Sequence, residues 1–94
     1  MHATVRHYTD SPGFVDALRA HESEVRGLLQ GIEGFRAYYL VKASDGETIT
    51  VSVYDDATGA EESTRQAAAW VKENLADLSV QPPQVSSGEV AIQF

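Results

Sequence analysis

The apolar positions along the chain alternate between period two and a spacing of three to four, and each change of period marks an element. Ala3 to Thr9 is short and rich in β-formers, and it stops at Asp10-Ser11-Pro12-Gly13, where Ser11 can cap a helix and Pro12 suits its first position. Phe14, Leu18, His21, Val25, Leu28 and Leu29 then recur at helical spacing, so one continuous helix is expected, ended by Gly31 and Gly34. Gly34 to Ala43 reads as a long strand. Ser44-Asp45-Gly46-Glu47 carries an Asp-Gly hairpin signal, and Thr48 to Tyr54 alternates Ile49, Val51 and Val53 with Thr48, Thr50 and Ser52. Asp55-Asp56 and Thr58-Gly59-Ala60-Glu61 supply caps for a second helix, whose stripe is Ala60, Thr64, Ala67, Ala68, Val71, Leu75 and Leu78. Gln81-Pro82-Pro83-Gln84 cannot continue that helix and forms a crossing loop. A final strand is expected over Glu89 to Phe94, where Val90, Ile92 and Phe94 alternate with more polar neighbours.

The order is β-α-β-β-α-β, which predicts an α+β, ferredoxin-like domain over residues 1–94, with a four-stranded antiparallel sheet and two helices on one face. Taking the apolar parity of each strand as inward leaves Arg6, Tyr8, Thr50, Ser52, Tyr54, Ala91 and Gln93 on the other face. That mixture is too aromatic for plain solvent and predicts a covering partner. In the second strand both parities are partly apolar, as expected if both faces are covered.

Composition narrows the partners. A chain of 94 residues buries only around 60 to 65% of the surface its unfolded form exposes, so self-association is a natural source of stability. Seven basic against fourteen acidic residues leave a formal charge of −7 without a basic cluster, which argues against nucleic acid and anionic membrane surfaces. There is no cysteine, hence no disulfide, thiolate ligand or cysteine nucleophile. No apolar run is long enough to span a bilayer, and a cytoplasmic location is the expectation.

Gly34-Phe35-Arg36-Ala37-Tyr38-Tyr39-Leu40-Val41, then the hairpin, then Val53-Tyr54-Asp55-Asp56-Ala57 leading into Ala60-Glu61-Glu62-Ser63, resembles the dimeric α/β-barrel proteins, specifically the small antibiotic-biosynthesis-monooxygenase-like group. The likeness extends through Ala68-Ala69-Trp70-Val71 and the closing strand, and its pattern is that of a fold rather than of a catalytic centre. It implies a homodimer joined through the sheet faces and, in each subunit, a small-molecule pocket between sheet and helices lined by His21, Tyr38, Tyr39 and Trp70. The implied role is binding of a small apolar or aromatic molecule. The alternative is a cofactor-independent monooxygenase, or a related isomerase or cyclase, acting on an aromatic substrate.

Four residues carry the candidate chemistry. His21, on the expected inward stripe, could act as base or ligand, although a buried and hydrogen-bonded histidine needs no function. Tyr38 and Tyr39 are adjacent on a strand and must point to opposite faces, so only one can line a pocket. Trp70 could form the lid of a flat aromatic site. It also resembles the haem-degrading branch, but Val71-Lys72-Glu73-Asn74-Leu75 lacks the histidine that would hold iron, so no cofactor is expected. His2 and His7 lie at opposite parity on the first strand and cannot clamp one metal. The acidic residues around the second helix start read as caps, and Arg6, Arg36 and Arg65 as members of internal salt bridges.

Overall fold

A computed structural model describes residues 1–94. The elements are β1 (His2–Tyr8), α1 (Phe14–Ala20), α2 (Glu22–Gln30), β2 (Phe35–Lys42), β3 (Thr48–Tyr54), α3 (Ala57–Asn74), a short 3₁₀ turn (Ala76–Leu78) and β4 (Gln84–Glu89). All pairings are antiparallel, in the order β2-β3-β1-β4, with the helices against one face, which is the ferredoxin-like arrangement expected. No helix is long and apolar enough to cross a membrane.

The first helix differs from expectation at both its start and its middle. It begins at Phe14 behind Gly13, whose φ of 79° places it in the left-handed region. Ser11 is not its cap: the hydroxyl donates to the Tyr8 carbonyl at 3.3 Å and shares a 3.0 Å hydrogen bond with Thr48. The helix then breaks at His21 (φ −108°, ψ 26°), and α2 restarts with Glu22 and Glu24 in its first turn. No glycine or proline stands there, so the break is tertiary in origin. Phe14 and Leu18 reach Tyr8, Trp70 and Leu75, and the new axis of α2 carries Leu29 into the core and Val25 and Leu28 against it.

Strand parity is the larger correction. On β3 the hydroxyl residues face the helices: Thr48, Thr50 and Ser52 are buried and Tyr54 is fully enclosed. Thr4, Arg6 and Tyr8 do the same on β1. The side chains of β1 and β3 placed outward by apolar patterning therefore lie inside, and Ile49, Val51 and Val53 lie on the open face. The cause is the close approach of α3, which buries Gly59, Ala60, Ser63 and Trp70. Small residues on the helix let it lie close over the strand beneath, and most of the buried hydroxyls find partners, Thr50 Oγ1 excepted. Ser52 accepts from Arg6 at 2.8 Å, Ser63 donates to the Ala60 carbonyl at 2.7 Å, and the Tyr54 hydroxyl donates to the Leu29 carbonyl at 2.9 Å.

A bulge at Arg36 shifts the register of β2, so that Phe35 pairs with Tyr54 while Ala37 pairs with Val53. Phe35, Tyr38 and Leu40 consequently share the inner face, and Ala37, Tyr39 and Val41 the outer one. The last strand is the third correction. Pairing with β1 begins at Gln84 opposite His7 and reaches Glu89 opposite His2, and Val90 donates to the Met1 carbonyl at 2.9 Å. The alternating Val90 to Phe94 segment lies beyond the ladder, with Ile92 and Phe94 exposed. The second helix follows expectation more closely: Asp56 is its cap, accepting from the Gly59 amide at 3.1 Å.

Candidate functional site

Where the bulged β2 passes under α1 and α2, side chains from the three elements leave a cleft of about 540 Å³. Val15, Leu18, Val25, Leu29, Phe35 and Leu40 supply apolar walls, with Tyr38 on the sheet side and Arg19, Arg26 and Lys42 among the charged residues at its border. Glu22 also borders it, held by Arg26 at 2.8 Å. The lining thus combines apolar walls and a phenol hydroxyl with a charged border.

The buried polar residue of the lining is Tyr38. Burial pushes its hydroxyl up to about 12, helped by the neighbouring Tyr8 and opposed by the positive charge of Arg6. The phenol is therefore protonated at neutral pH and presents an O–H donor with acceptor capacity. It is not a base. Tyr39 points the other way, onto the open sheet face, where it is 59% exposed. The bulge and the two-residue period decide between the two tyrosines in favour of Tyr38.

His21 and Trp70 are brought together, but away from the cleft. Their rings meet edge to face with centroids 5.4 Å apart. Trp70 Nε1 donates to Glu24 Oε1 at 3.0 Å, and His21 Nδ1 lies 3.4 Å from Glu24 Oε2. This cluster ties α2 to α3. Trp70 is buried with Tyr8, Phe14, Leu18 and Leu75, whereas the His21 side chain is 41% exposed at the junction of α1 and α2 and lies off the expected inward stripe. Between Trp70, Tyr38 and Tyr8 the interior is nearly filled, with a void of about 30 Å³, close to the space of one water molecule.

Other candidates resolve into local roles. His2 lies beside Ser87 on the inner side and His7 pairs with Glu47 on the outer side. No three His, Asp or Glu side chains converge. Arg36 pairs with Asp55 and Arg65 with Glu62, as internal ion pairs at the surface. Arg6 departs from that expectation: it is 4% exposed and none of its hydrogen bonds goes to a carboxylate. Placing it on the open face concealed this, and the signal that could have found it is an arginine on the β1 parity of His2, Thr4 and Tyr8, beside the Thr50 and Ser52 parity of β3. The cleft residues Val15, Phe35 and Leu40 were hidden for another reason, because the bulge is not written in the period of β2.

No protein-family profile matches the sequence, and no curated protein matches it. Solved structures do share its fold. A protein of unknown function from Nitrosomonas europaea superposes with a TM-score of 0.74 at 21% identity, covering 99% of this chain and 91% of the other. A monooxygenase of Streptomyces coelicolor, solved with the ligand nanaomycin D, gives 0.70 at 17% identity, over 99% and 91%. A cofactor-independent oxygenase of Streptomyces nogalater gives 0.65 at 10% identity, over 99% and 94%. The chain thus shares the ferredoxin-like fold of these proteins.

Proposed function

We propose that this protein binds a small, largely apolar aromatic molecule in the cleft between α1–α2 and β2, with Tyr38 as its hydrogen-bonding partner. The observation that carries this reading is the cleft itself: about 540 Å³, walled mainly by aliphatic and aromatic side chains and provided with one protonated phenol. A ligand complex on the same fold, that of the Streptomyces coelicolor monooxygenase with nanaomycin D, supports it by analogy. Binding is favoured over oxygenation because deprotonating a substrate requires a free base at the cleft, and the carboxylate that borders it, Glu22, is paired with Arg26. His21 does not border it, and Tyr38 holds its proton. The test is a titration with the neutral probe 2-naphthol. Val15→Trp, which fills the mouth of the cleft from a half-buried position on α1, should weaken binding by about tenfold or more. Unchanged affinity in that variant would refute the assignment.

The working unit in this proposal is a homodimer joined through the open sheet face. Ala3, Val5, Ala37, Tyr39, Val41, Ile49, Val51 and Val53 give that face a nearly continuous apolar surface, with Val5, Tyr39 and Val41 all exposed in the single chain. Its occupant is a second copy of the same chain. A flat, self-complementary β surface meets itself about a two-fold axis, and a domain of this size gains most from such cover. Charge does not oppose it, since the only titratable side chain on the central two strands of this face is His7, paired with Glu47.

A further inference from the structure

On the far side of α3 a second groove, about 530 Å³, lies between that helix, residues 75–83 and β4. It shares no lining residue with the cleft. Arg6 and Tyr8 enter it from the sheet, and Lys72, Val80, Pro82 and Val85 are among the residues around it. On a chain of formal charge −7, no Asp or Glu borders this groove, and both charged residues that do are cations.

The state of Arg6 sets the groove apart. Its guanidinium donates to Ser52 Oγ at 2.8 Å, to Ser63 Oγ at 3.2 Å and to Thr64 Oγ1, all of them neutral hydroxyls. Nε is buried with no acceptor. None of the ion pairs in the protein includes Arg6. Hydroxyls orient a guanidinium without neutralising it, and an uncompensated buried charge is costly unless an anion is supplied. Burial lowers the Arg6 pKa, yet an arginine starts so high that it stays charged at neutral pH. The tyrosines around it cannot serve as the anion, because burial raises the pKa values of Tyr8, Tyr38 and Tyr54.

We infer that the groove between α3 and β4 binds the carboxylate of a small amphipathic molecule, with Arg6 as the buried cation, Lys72 at the rim and Val71, Val80 and Val85 against the apolar body. Arginine matches a carboxylate in shape as well as in charge, and the volume suits a ligand of one or two rings.

The test is an amide-detected NMR titration of the full chain at pH 7 with 2-naphthoate and its neutral isostere 2-naphthamide. Naphthoate should shift the Val80 and Val85 amides and bind about tenfold or more tightly than the amide. In Arg6→Met that preference should vanish while the fold persists, since relief of an unneutralised charge offsets the loss of the hydrogen bond to Ser52. A second variant, Val85→Glu, sets a carboxylate directly opposite Arg6 across the β1–β4 ladder, at an exposed position that does not endanger folding. It should raise the unfolding midpoint and abolish naphthoate binding. Equal affinity for the two probes, a preference surviving Arg6→Met, shifts confined to the Tyr38 cleft, or naphthoate binding unaffected by Val85→Glu would each overturn the inference. Because the two sites have no residue in common, failure here leaves the Tyr38 assignment standing, and the converse also holds.

Discussion

Gly59 lets α3 lie low over the sheet, and replacing it tests how tightly that contact is built. A Cβ at this position would stand 2.9 Å from the Glu33 carbonyl oxygen, 2.9 Å from Tyr54 Cδ1 and 3.2 Å from Tyr54 Cβ. Two effects then compete in Gly59→Ala. Helix propensity favours alanine by up to about 1 kcal/mol, and less in the first turn of a helix. Overpacking costs roughly 1–3 kcal/mol, and the upper part of that range applies because neither obstacle is a flexible chain end. One is backbone, and the other is a ring with no exposed surface whose hydroxyl is held by the Leu29 carbonyl. Overpacking wins, with a net loss of about 1–2 kcal/mol and a urea midpoint lower by roughly 1 M. Gly27→Ala in α2 is the matched control, since nothing lies within 4 Å of the added carbon. It should raise stability by up to about 1 kcal/mol. Both are read by urea denaturation at one fixed protein concentration, because dimerisation would make the midpoint depend on it. A Gly59→Ala protein as stable as its parent would mean that α3 does not sit at this distance, and the physical reason given for the buried hydroxyl face of β3 would fall with it.

Lysine substitutions on adjacent residues of β3 should separate the two sheet faces. Ser52→Lys puts an ammonium at a position only 1% exposed beneath α3 and should prevent folding, whereas Val51→Lys on the open face should leave circular dichroism unchanged and convert dimer to monomer in light scattering. A folded Ser52→Lys protein would reverse the faces, and a Val51→Lys dimer would rule out sheet-to-sheet association. The Tyr38 phenol supplies a pH signature. Its folded value of about 12 lies above the ordinary 10, so below pH 10 both states are protonated and nothing is lost, while between 10 and 12 the unfolded chain ionises first and stability falls as pH rises. The wild type should lose about 2 kcal/mol more than Tyr38→Phe across that window, and parallel curves would place the hydroxyl in water.

The two hydrophobic periods carry most of the element order, because they follow from the backbone geometry of strand and helix. Parity of β3 could not be read the same way: Ile49, Val51 and Val53 are apolar in either environment, and the choice of Thr50 and Ser52 as the buried set depends on Gly59, Ala60 and Ser63 arriving from a helix on the other side of the hairpin. The alternation from Val90 to Phe94 likewise has strand character, yet β4 pairs with β1 only over Gln84 to Glu89. For the site, adjacency on a strand showed that only one of Tyr38 and Tyr39 could face inward, and the bulge at Arg36 decided which residues join it. His21 and Trp70 were expected at that pocket, but the break between α1 and α2 turns the imidazole to the surface and leaves the indole packed in the core, with its N–H on Glu24.

The central claim is that the cleft under α1 and α2 is a ligand site floored by Tyr38. Isotope-edited NOE measurements between 2-naphthol and the methyl-bearing side chains test it most directly. Contacts are expected from the probe to Val15, Leu18, Val25 and Leu40 and to the Tyr38 ring. Contacts confined to the open sheet face, or to the groove beyond α3, would contradict it.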